Sequence, residues 1–290
     1  MPAALDALVT ALYVQLDDFL GPRHQGPGRP PKVTDSELIC LAIAQVLLGV
    51  PNDRQFLALA RWRLSHLFPR LIDQSGYNRR LRALAPEVGR CISYLAWISP
   101  SFDDQLRLLD STPVPCGQSR ETARRSEFAG SAGYGYCRSH SRWFWGYRLY
   151  LITAGDGMPI GWELAAANTG ERVVAADMLD RIPIAGNTLL TDKGFAGQEF
   201  ETLVNRCGGQ LLRPDRKDEP VHHGHLGRIR QWIESTIWTC KGQLGLERHN
   251  ARTLPGLAAR ISLRLLTLAA GIWHNHQTKQ PPRAFAAYGR

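Results

Sequence analysis

From residue 106 onward, short apolar runs of strand type alternate with amphipathic runs of helix type. The first run is followed by two aromatic and β-branched runs separated by Gly155, Asp156 and Gly157, which is the pattern of a β-hairpin. After the hairpin come a helix, a strand, a helix, a strand and a last long helix that begins near Leu226. A hairpin followed by βα alternation predicts a mixed five-stranded sheet flanked by helices, because an all-parallel sheet contains no hairpin.

The first hundred residues have a different pattern, which is helical. Thr34 and Glu37 have the spacing of a capping box at the start of a strongly apolar helix. A break at Asn52 is followed by further short helices with arginine-rich starts, as is typical of a helix-turn-helix. The sequence therefore predicts two domains: residues 1–100 as an all-helical, helix-turn-helix-like DNA-binding region, and residues 101–290 as the α/β domain.

The charge balance points to a polyanionic partner. There are 35 Lys and Arg residues against 26 Asp and Glu, which gives a formal net charge of +9 and a pI near 9.5. Such an excess favours a nucleic acid or an anionic membrane. We expect no membrane contact, because no run reaches the ~18 apolar residues of a membrane helix and the first residues lack a signal-peptide pattern. Six cysteines without a CxxC pair indicate no zinc ribbon or disulfide framework, and predict a cytoplasmic location.

Two basic segments of the helical region are candidates for contacts with DNA. Arg29 and Lys32 lie in the proline-rich stretch GPGRPPKV, whose extended backbone suits insertion into a narrow minor groove. Arg79 and Arg80 belong to an arginine cluster that would lie against phosphates. A stiff basic linker and a solvated helix face explain the same two segments, so both interpretations stay open.

Two carboxylates directly follow apolar runs of strand type. Asp110 ends the run LRLLD and Asp192 ends the run NTLLTD, so parallel neighbouring strands would bring both to one edge of the sheet. A third acid, Glu234, lies on the polar face of the last helix. The opposite face of that helix is apolar and predicts core packing for Ile229, Trp232, Ile233 and Ile237.

Three cations accompany these acids. Lys193 follows Asp192, while Arg230 and Lys241 share one stripe of the last helix with Glu234. In a phosphate-binding site, all three would help to seat the phosphates. Alternatively, Arg230 and Glu234 form an ordinary i, i+4 ion pair that contributes about 0.3 kcal/mol.

Three converging carboxylates in a basic protein suit metal-assisted phosphodiester cleavage. Mg²⁺ prefers oxygen ligands and keeps several waters, so two or three acids hold it while a DNA phosphate fills the remaining positions. Two such ions ~3.5 to 4 Å apart activate the attacking oxygen and stabilise the leaving oxygen. We therefore expect Asp110, Asp192 and Glu234 to be catalytic residues and metal ligands.

With Asp110 in LLDSTPV, Asp192 in LLTDKGF and Glu234 in RIRQWIESTIWTCKG, the sequence resembles the Asp, Asp, Glu triad of DDE transposases from bacterial insertion sequences. The resemblance extends from about residue 106 to residue 273. Arg230, Glu234 and Lys241 have the spacing of a signature on the family's last helix, and Gly227 stands where that signature has a tyrosine.

This resemblance implies a fold, an activity and partners. The fold is an RNase H-like catalytic core, and the activity is cleavage at the element's terminal inverted repeats with two Mg²⁺ or Mn²⁺ ions. The freed 3′-hydroxyl then attacks target DNA. A homodimer on DNA is implied, in the cytoplasm at the bacterial nucleoid, with Lys241 near the cleaved end and Trp232 or Trp238 against a displaced base.

Two other functions fit parts of the pattern. A non-catalytic DNA-binding protein, such as a repressor or relic transposase, shares the basic charge and the helices but gives no reason for three acids. A glycoside hydrolase needs two carboxylates but gives no reason for the charge of +9.

Two polar segments are predicted to be loops. One extends from Pro115 to Gly135 and contains three arginines, namely Arg120, Arg124 and Arg125. The other, VHHGHLG, contains His222, His223 and His225 without a cysteine or a helical i, i+4 pair, which favours a loop over a zinc site.

Overall fold

The computed structural model describes residues 2–21, 31–137, 141–215 and 226–289, which form two compact units. A helical unit comprises Met1–Leu95, Cys240–Ala251 and Pro255–Arg290, and a sheet unit comprises Ala96–Thr239 and Arg252–Leu254. The predicted division at residue 100 lies close to the first boundary between the units. The C-terminal residues, however, group with the N-terminal helices.

The elements follow one another in an order close to the predicted one. The helices are α1 (Pro2–Leu20), α2 (Asp35–Leu47), α3 (Asp53–Arg63), α4 (Gln74–Ala83), α5 (Ala85–Trp97), α6 (Arg120–Arg125), α7 (Glu171–Leu179), α8 (Gln198–Arg206), α9 (Gly227–Gly242), α10 (Leu254–Gln277) and α11 (Ala286–Gly289). The strands are β1 (Leu106–Gly117), β2 (Gly133–Cys137), β3 (Arg142–Thr153), β4 (Pro159–Ala166), β5 (Thr188–Leu190) and β6 (Gln210–Leu212). Short 3-10 turns lie at Pro100–Asp103 and Lys193–Phe195.

Helix α10 contributes a large share of the core of the helical unit. Its fully buried apolar side chains include Leu257, Ile261, Leu265, Leu266, Leu268 and Ile272. By length and composition alone it is the one described helix that would span a membrane, but 83% of that stretch is buried inside the protein. Such burial is that of a core helix.

The capping box predicted at the start of α2 is confirmed. The backbone N–H of Glu37 donates to Thr34 Oγ1 at 3.1 Å, and the backbone N–H of Thr34 donates to Glu37 Oε2 at 2.6 Å. These bonds satisfy two donors that would otherwise have no partner at the helix start.

Replacing Thr34 with alanine is expected to lower the free energy of unfolding by about 1 kcal/mol, because the cap hydroxyl is lost. Urea denaturation followed by circular dichroism measures the change. Thr10→Ala is a matched control, since Thr10 is exposed within α1 and alanine is the better helix former there. Equal destabilisation by both substitutions would contradict the role of the cap.

The sheet is mixed, as predicted. β3 pairs antiparallel with β1 on one edge and with β2 and β4 on the other, while β1, β5 and β6 are parallel neighbours. The main order is β4-β3-β1-β5-β6, and β2 continues the row of β4 along β3. The described residues thus form six strands, and the strand missing from the prediction is β2.

The first strand is longer than predicted. β1 extends to Gly117, so Asp110 lies inside the strand and not at its end. The predicted loop began at Pro115, but Pro113 and Pro115 both lie within β1. Strand β5 pairs only with residues 106–108 of β1. Beyond that point one edge of β1 has no partner strand among the described residues, and a proline without an N–H is tolerated on such an edge. The remainder of the predicted loop contains α6 and β2.

Alternate side chains of β1 lie on opposite faces of the sheet. Leu109 belongs to a buried cluster with residues of α7 and α8, among them Val174, Met178 and Phe200. Leu108 belongs to a cluster on the other face, with Leu190, Leu226 and Ile233. Ile233 is part of α9, so this second face is the one on which α9 packs.

Candidate active site

Parallel pairing of β1 with β5 brings Asp110 and Asp192 to equivalent positions. The register aligns Leu108 with Leu190, and each aspartate follows its leucine by two residues. Because side chains alternate along a strand, the Asp110 side chain lies on the same face as Leu108, which is the face covered by α9. The predicted convergence of these two aspartates is therefore present, although Asp110 does not end its strand.

Asp110 is electrostatically unusual. Burial raises the pKa of its carboxyl group to about 7. The backbone N–H of Ser111, which donates to Asp110 Oδ1 at 2.7 Å, opposes this shift, as does the charge of Arg230. The carboxylates of Asp192 and Glu171 raise the pKa further. Two facing carboxylates of this kind are electrostatically favourable only with a proton or a cation between them.

Asp192 is held at the end of β5 by a short turn. Its Oδ1 accepts a hydrogen bond from the backbone N–H of Gly194 at 2.7 Å and caps the 3-10 turn at Lys193–Phe195. A Cβ atom on Gly194 would lie 2.7 Å from Glu171 Oε2 and 2.9 Å from Asp192 Oδ1. Glycine is thus the residue that lets these two carboxylates approach the turn. Lys193 is exposed.

Glu171 was missed by the sequence reasoning. It is the first residue of α7, accepts a hydrogen bond from Ser111 Oγ at 3.2 Å and lies 3.6 Å from Arg148 Nη1. An acid in the first turn of a helix normally complements the helix dipole, so its type and place gave no signal of a site. The sequence feature that could have identified Glu171 is its position after a strand and a turn, since Asp110 and Asp192 also follow apolar runs of strand type.

Among the described residues, Glu234 does not complete a metal-holding group with the two aspartates. It is exposed on α9, with Oε1 3.8 Å from Arg230 Nη2, so the alternative i, i+4 ion pair is present. In the described part of the chain, no three His, Cys, Asp or Glu side chains lie close enough together to hold a metal ion. Lys241, in the last turn of α9, is 3.0 Å from Glu247.

The two tryptophans of α9 differ from the packing expected for them. Trp232 was expected in the core beside Ile233, but 44% of its surface is exposed, against 4% for Ile233. Trp238 is 63% exposed. One position on a helix turns a side chain by about 100°, and this rotation carries Trp232 out of the narrow buried stripe of α9.

The basic candidates of the helical region have different surroundings. Lys32 and Arg79 are exposed, as a contact with phosphate requires. Arg80 instead donates to the Val33 carbonyl at 2.8 Å and to Asp35 Oδ1 at 2.7 Å, so it fixes the start of α2. Arg29 and the histidines His222, His223 and His225 lie outside the described residues.

The donor set fits a hard divalent cation. Asp110 and Asp192 offer carboxylate oxygens on one face, and the carboxylate of Asp192 adds to the rise that burial causes in the pKa of Asp110. Mg²⁺ is commonly bound by one or two protein carboxylates, with water and substrate phosphate completing its shell. A third ligand from Glu234 would require that side chain to leave Arg230.

Comparison with known proteins adds the following. A family model described as a transposase DDE domain matches residues 101–269. Among solved structures, the chain is similar to piggyBac transposase in a synaptic complex with hairpin DNA, with 11% identity over 96% of this chain and 76% of that one and a TM-score of 0.40. It is also similar to Mos1 transposase in a paired-end complex with the left transposon end (12% identity, 89% and 82% coverage, TM-score 0.25) and in a pre-cleavage transpososome (11%, 89% and 82%, 0.23). No curated protein matches the chain.

Proposed function

This chain belongs to the transposase DDE domain family, and on that basis we propose that it binds the terminal inverted repeats of an insertion sequence, cleaves them and joins the 3′-hydroxyl ends to target DNA. The observation that carries the proposal is the pairing of β1 with β5, which aligns Asp110 with Asp192 on the face covered by α9. The formal charge of +9 supports DNA as the partner. We further propose a homodimer on DNA that acts in the bacterial cytoplasm.

Asp110 and Asp192 would hold the divalent ions, Mg²⁺ or Mn²⁺, and Glu234 would join them by giving up its contact with Arg230. When bound, such ions activate the attacking oxygen and stabilise the leaving one. Because a carboxylate ligand must be ionised, Asp110 releases the proton that it holds near neutral pH. Arg230, freed from Glu234, and Lys193, which is exposed, would neutralise phosphate charge.

Glu171 and Arg148 position the first aspartate. Ser111 links Asp110 to both, since its backbone N–H donates to Asp110 while its Oγ donates to Glu171 and accepts from Arg148 Nη1 at 3.3 Å. This arrangement fixes the backbone at the point where the reactive carboxylate leaves β1.

The direct test uses the DNA on either side of the gene as substrate. We expect short inverted repeats there, and we expect the purified protein to nick at their ends with Mg²⁺ or Mn²⁺ and to join the new ends to a plasmid. Gel electrophoresis of end-labelled DNA measures both steps. Specific binding without cleavage under either metal would instead support the second candidate, a repressor or relic transposase.

A further inference from the structure

Three large aromatic side chains are exposed on one face of a two-stranded ribbon, defined here as residues 133–137 of β2 and 142–146 of β3. Tyr134, Tyr136 and Trp143 have 51%, 40% and 70% of their surface exposed. Tyr136 is paired with Trp143, and their ring centroids are 5.4 Å apart. Tyr134 is paired with Trp145 and therefore lies on the same face. Such a group of exposed rings marks a surface that has a partner.

The other face of the ribbon is packed and holds the rings in place. Cys137 and Phe144 form a small buried cluster with Ala167. The backbone of Gly135 approaches so closely that a Cβ atom there would lie 2.7 Å from the Ala167 carbonyl oxygen. The ribbon is further tied to the sheet by Arg148 Nη2, which donates to the Tyr136 carbonyl at 2.7 Å. The rings are therefore presented on a rigid support.

The exposed rings and the carboxylate of Asp110 lie on the same face of the sheet. Asp110 is paired with Leu151 of β3, and Trp143 lies an even number of residues before Leu151 on the same strand. Eight residues of strand span roughly 27 Å at ~3.4 Å per residue. The ribbon therefore lies about 27 Å along this strand from Asp110, the length of roughly eight base pairs of duplex.

Positive charge lies on helix α6, which packs next to the ribbon. The side chains of Arg124 and Arg125 in α6 are 80% and 85% exposed. Their contacts with the Glu121 carboxylate are long, at 3.9 Å from Arg124 Nη1 and 3.6 Å from Arg125 Nε. Helix α6 lies against this face, because a Cβ atom on Gly117 would lie 3.1 Å from both Thr122 of α6 and the ring of Trp145. Arginine side chains next to exposed rings are the combination that binds single-stranded nucleic acid.

We propose that the ribbon and α6 form a binding surface for unpaired DNA. Bases stack on Trp143, Tyr136 and Tyr134, and the phosphates lie against Arg124 and Arg125. Duplex DNA hides the faces of its bases, so the rings select an unpaired strand, and stacking accepts any base. The source of that strand, DNA next to a bond cleaved at Asp110, rests on the proposed function. A second copy of the chain fits less well, because a symmetric contact would bring arginine-bearing helices together.

The test measures binding by fluorescence anisotropy in EDTA, so that cleavage plays no part, with a labelled thymidine oligonucleotide and a duplex of equal length. The double variant Tyr136→Ala, Trp143→Ala is expected to bind the single strand about 10-fold more weakly or worse, with little change for the duplex. Trp143→Phe keeps a ring and should retain most of the affinity. Replacing Arg124 and Arg125 with glutamine should reduce the slope of log affinity against log salt by about 1.4.

Phe102→Ala is the matched control, because Phe102 is 46% exposed in the 3-10 turn Pro100–Asp103, outside both the ribbon and residues 1–100, and should not affect single-strand binding. Unchanged single-strand affinity in the double variant, or an equal loss in Phe102→Ala, would overturn the proposal. So would light scattering that shows a wild-type dimer converted to monomer by the double variant without loss of single-strand affinity, since the face would then join two copies. Failure of cleavage by a protein that still binds the single strand through these rings would count against the proposed function alone.

Discussion

Replacing Asp192 with asparagine is expected to lower the rate of DNA strand cleavage by at least ~10²–10³-fold, the effect of removing one strong electrostatic contact from a transition state. The same loss is expected for Asp110→Asn and for Glu234→Gln, because each removes a charge that the divalent ions need. Affinity for inverted-repeat DNA, measured by gel shift, should remain within about threefold of wild type, since these carboxylates repel phosphate in the absence of metal.

Asp180→Asn is the matched control for this series. Asp180 is an exposed carboxylate of the same unit, at the C-terminal end of α7, and its removal should leave cleavage unchanged. Substantial metal-dependent cleavage by any of the three site variants would remove that residue from the active site. The result for Glu234 is the most informative, because its side chain is exposed and lies in an ion pair with Arg230.

The features that the sequence predicted correctly depend on local chemistry or on strand order. Thr34 and Glu37 make a capping box because the two side chains satisfy backbone donors within one turn. Asp110 and Asp192 face the same way because parallel strands in register bring equal positions together. Neither result depends on the detailed packing of distant segments.

The features that it missed depend on long-range contacts. β2 is a short strand of glycine, tyrosine and cysteine, so no periodic apolar run marks it, and among the described residues its partner strand is β3. Glu171 becomes part of the site only because α7 packs on the sheet face that also carries Tyr150 and Leu109. The exposure of Trp232 is decided by how narrow the buried stripe of α9 is, and hydrophobicity along the helix does not determine that width.

Asp110→Asn is also expected to stabilise the metal-free protein, by about 2–4 kcal/mol above pH ~7. The ordinary pKa of this carboxyl is 3.8, and burial in the folded protein raises the pKa to about 7. Between these values the unfolded chain loses the proton that the folded chain keeps, so the stability of the wild type falls as pH rises through this window. Asparagine has no such titration and still accepts the hydrogen bond from Ser111, so its advantage should be near zero at pH ~4 and reach a plateau above pH ~7.

Thermal unfolding in EDTA across this pH range measures the difference in stability between Asp110→Asn and the wild type, and the control Asp180→Asn, which keeps Asp110, should follow the wild type. Saturating Mg²⁺ or Mn²⁺ should then raise the unfolding temperature of the wild type, because an ion that binds only the folded state stabilises it by mass action. The same ion should have little effect on Asp110→Asn, which lacks the ionised ligand. An asparagine variant that is less stable than the wild type above pH ~7 in EDTA would show that the carboxylate is compensated without metal. An asparagine variant that is more stable than the wild type under these conditions would mean that Asp110 is retained at a cost in stability because the metal site needs its charge.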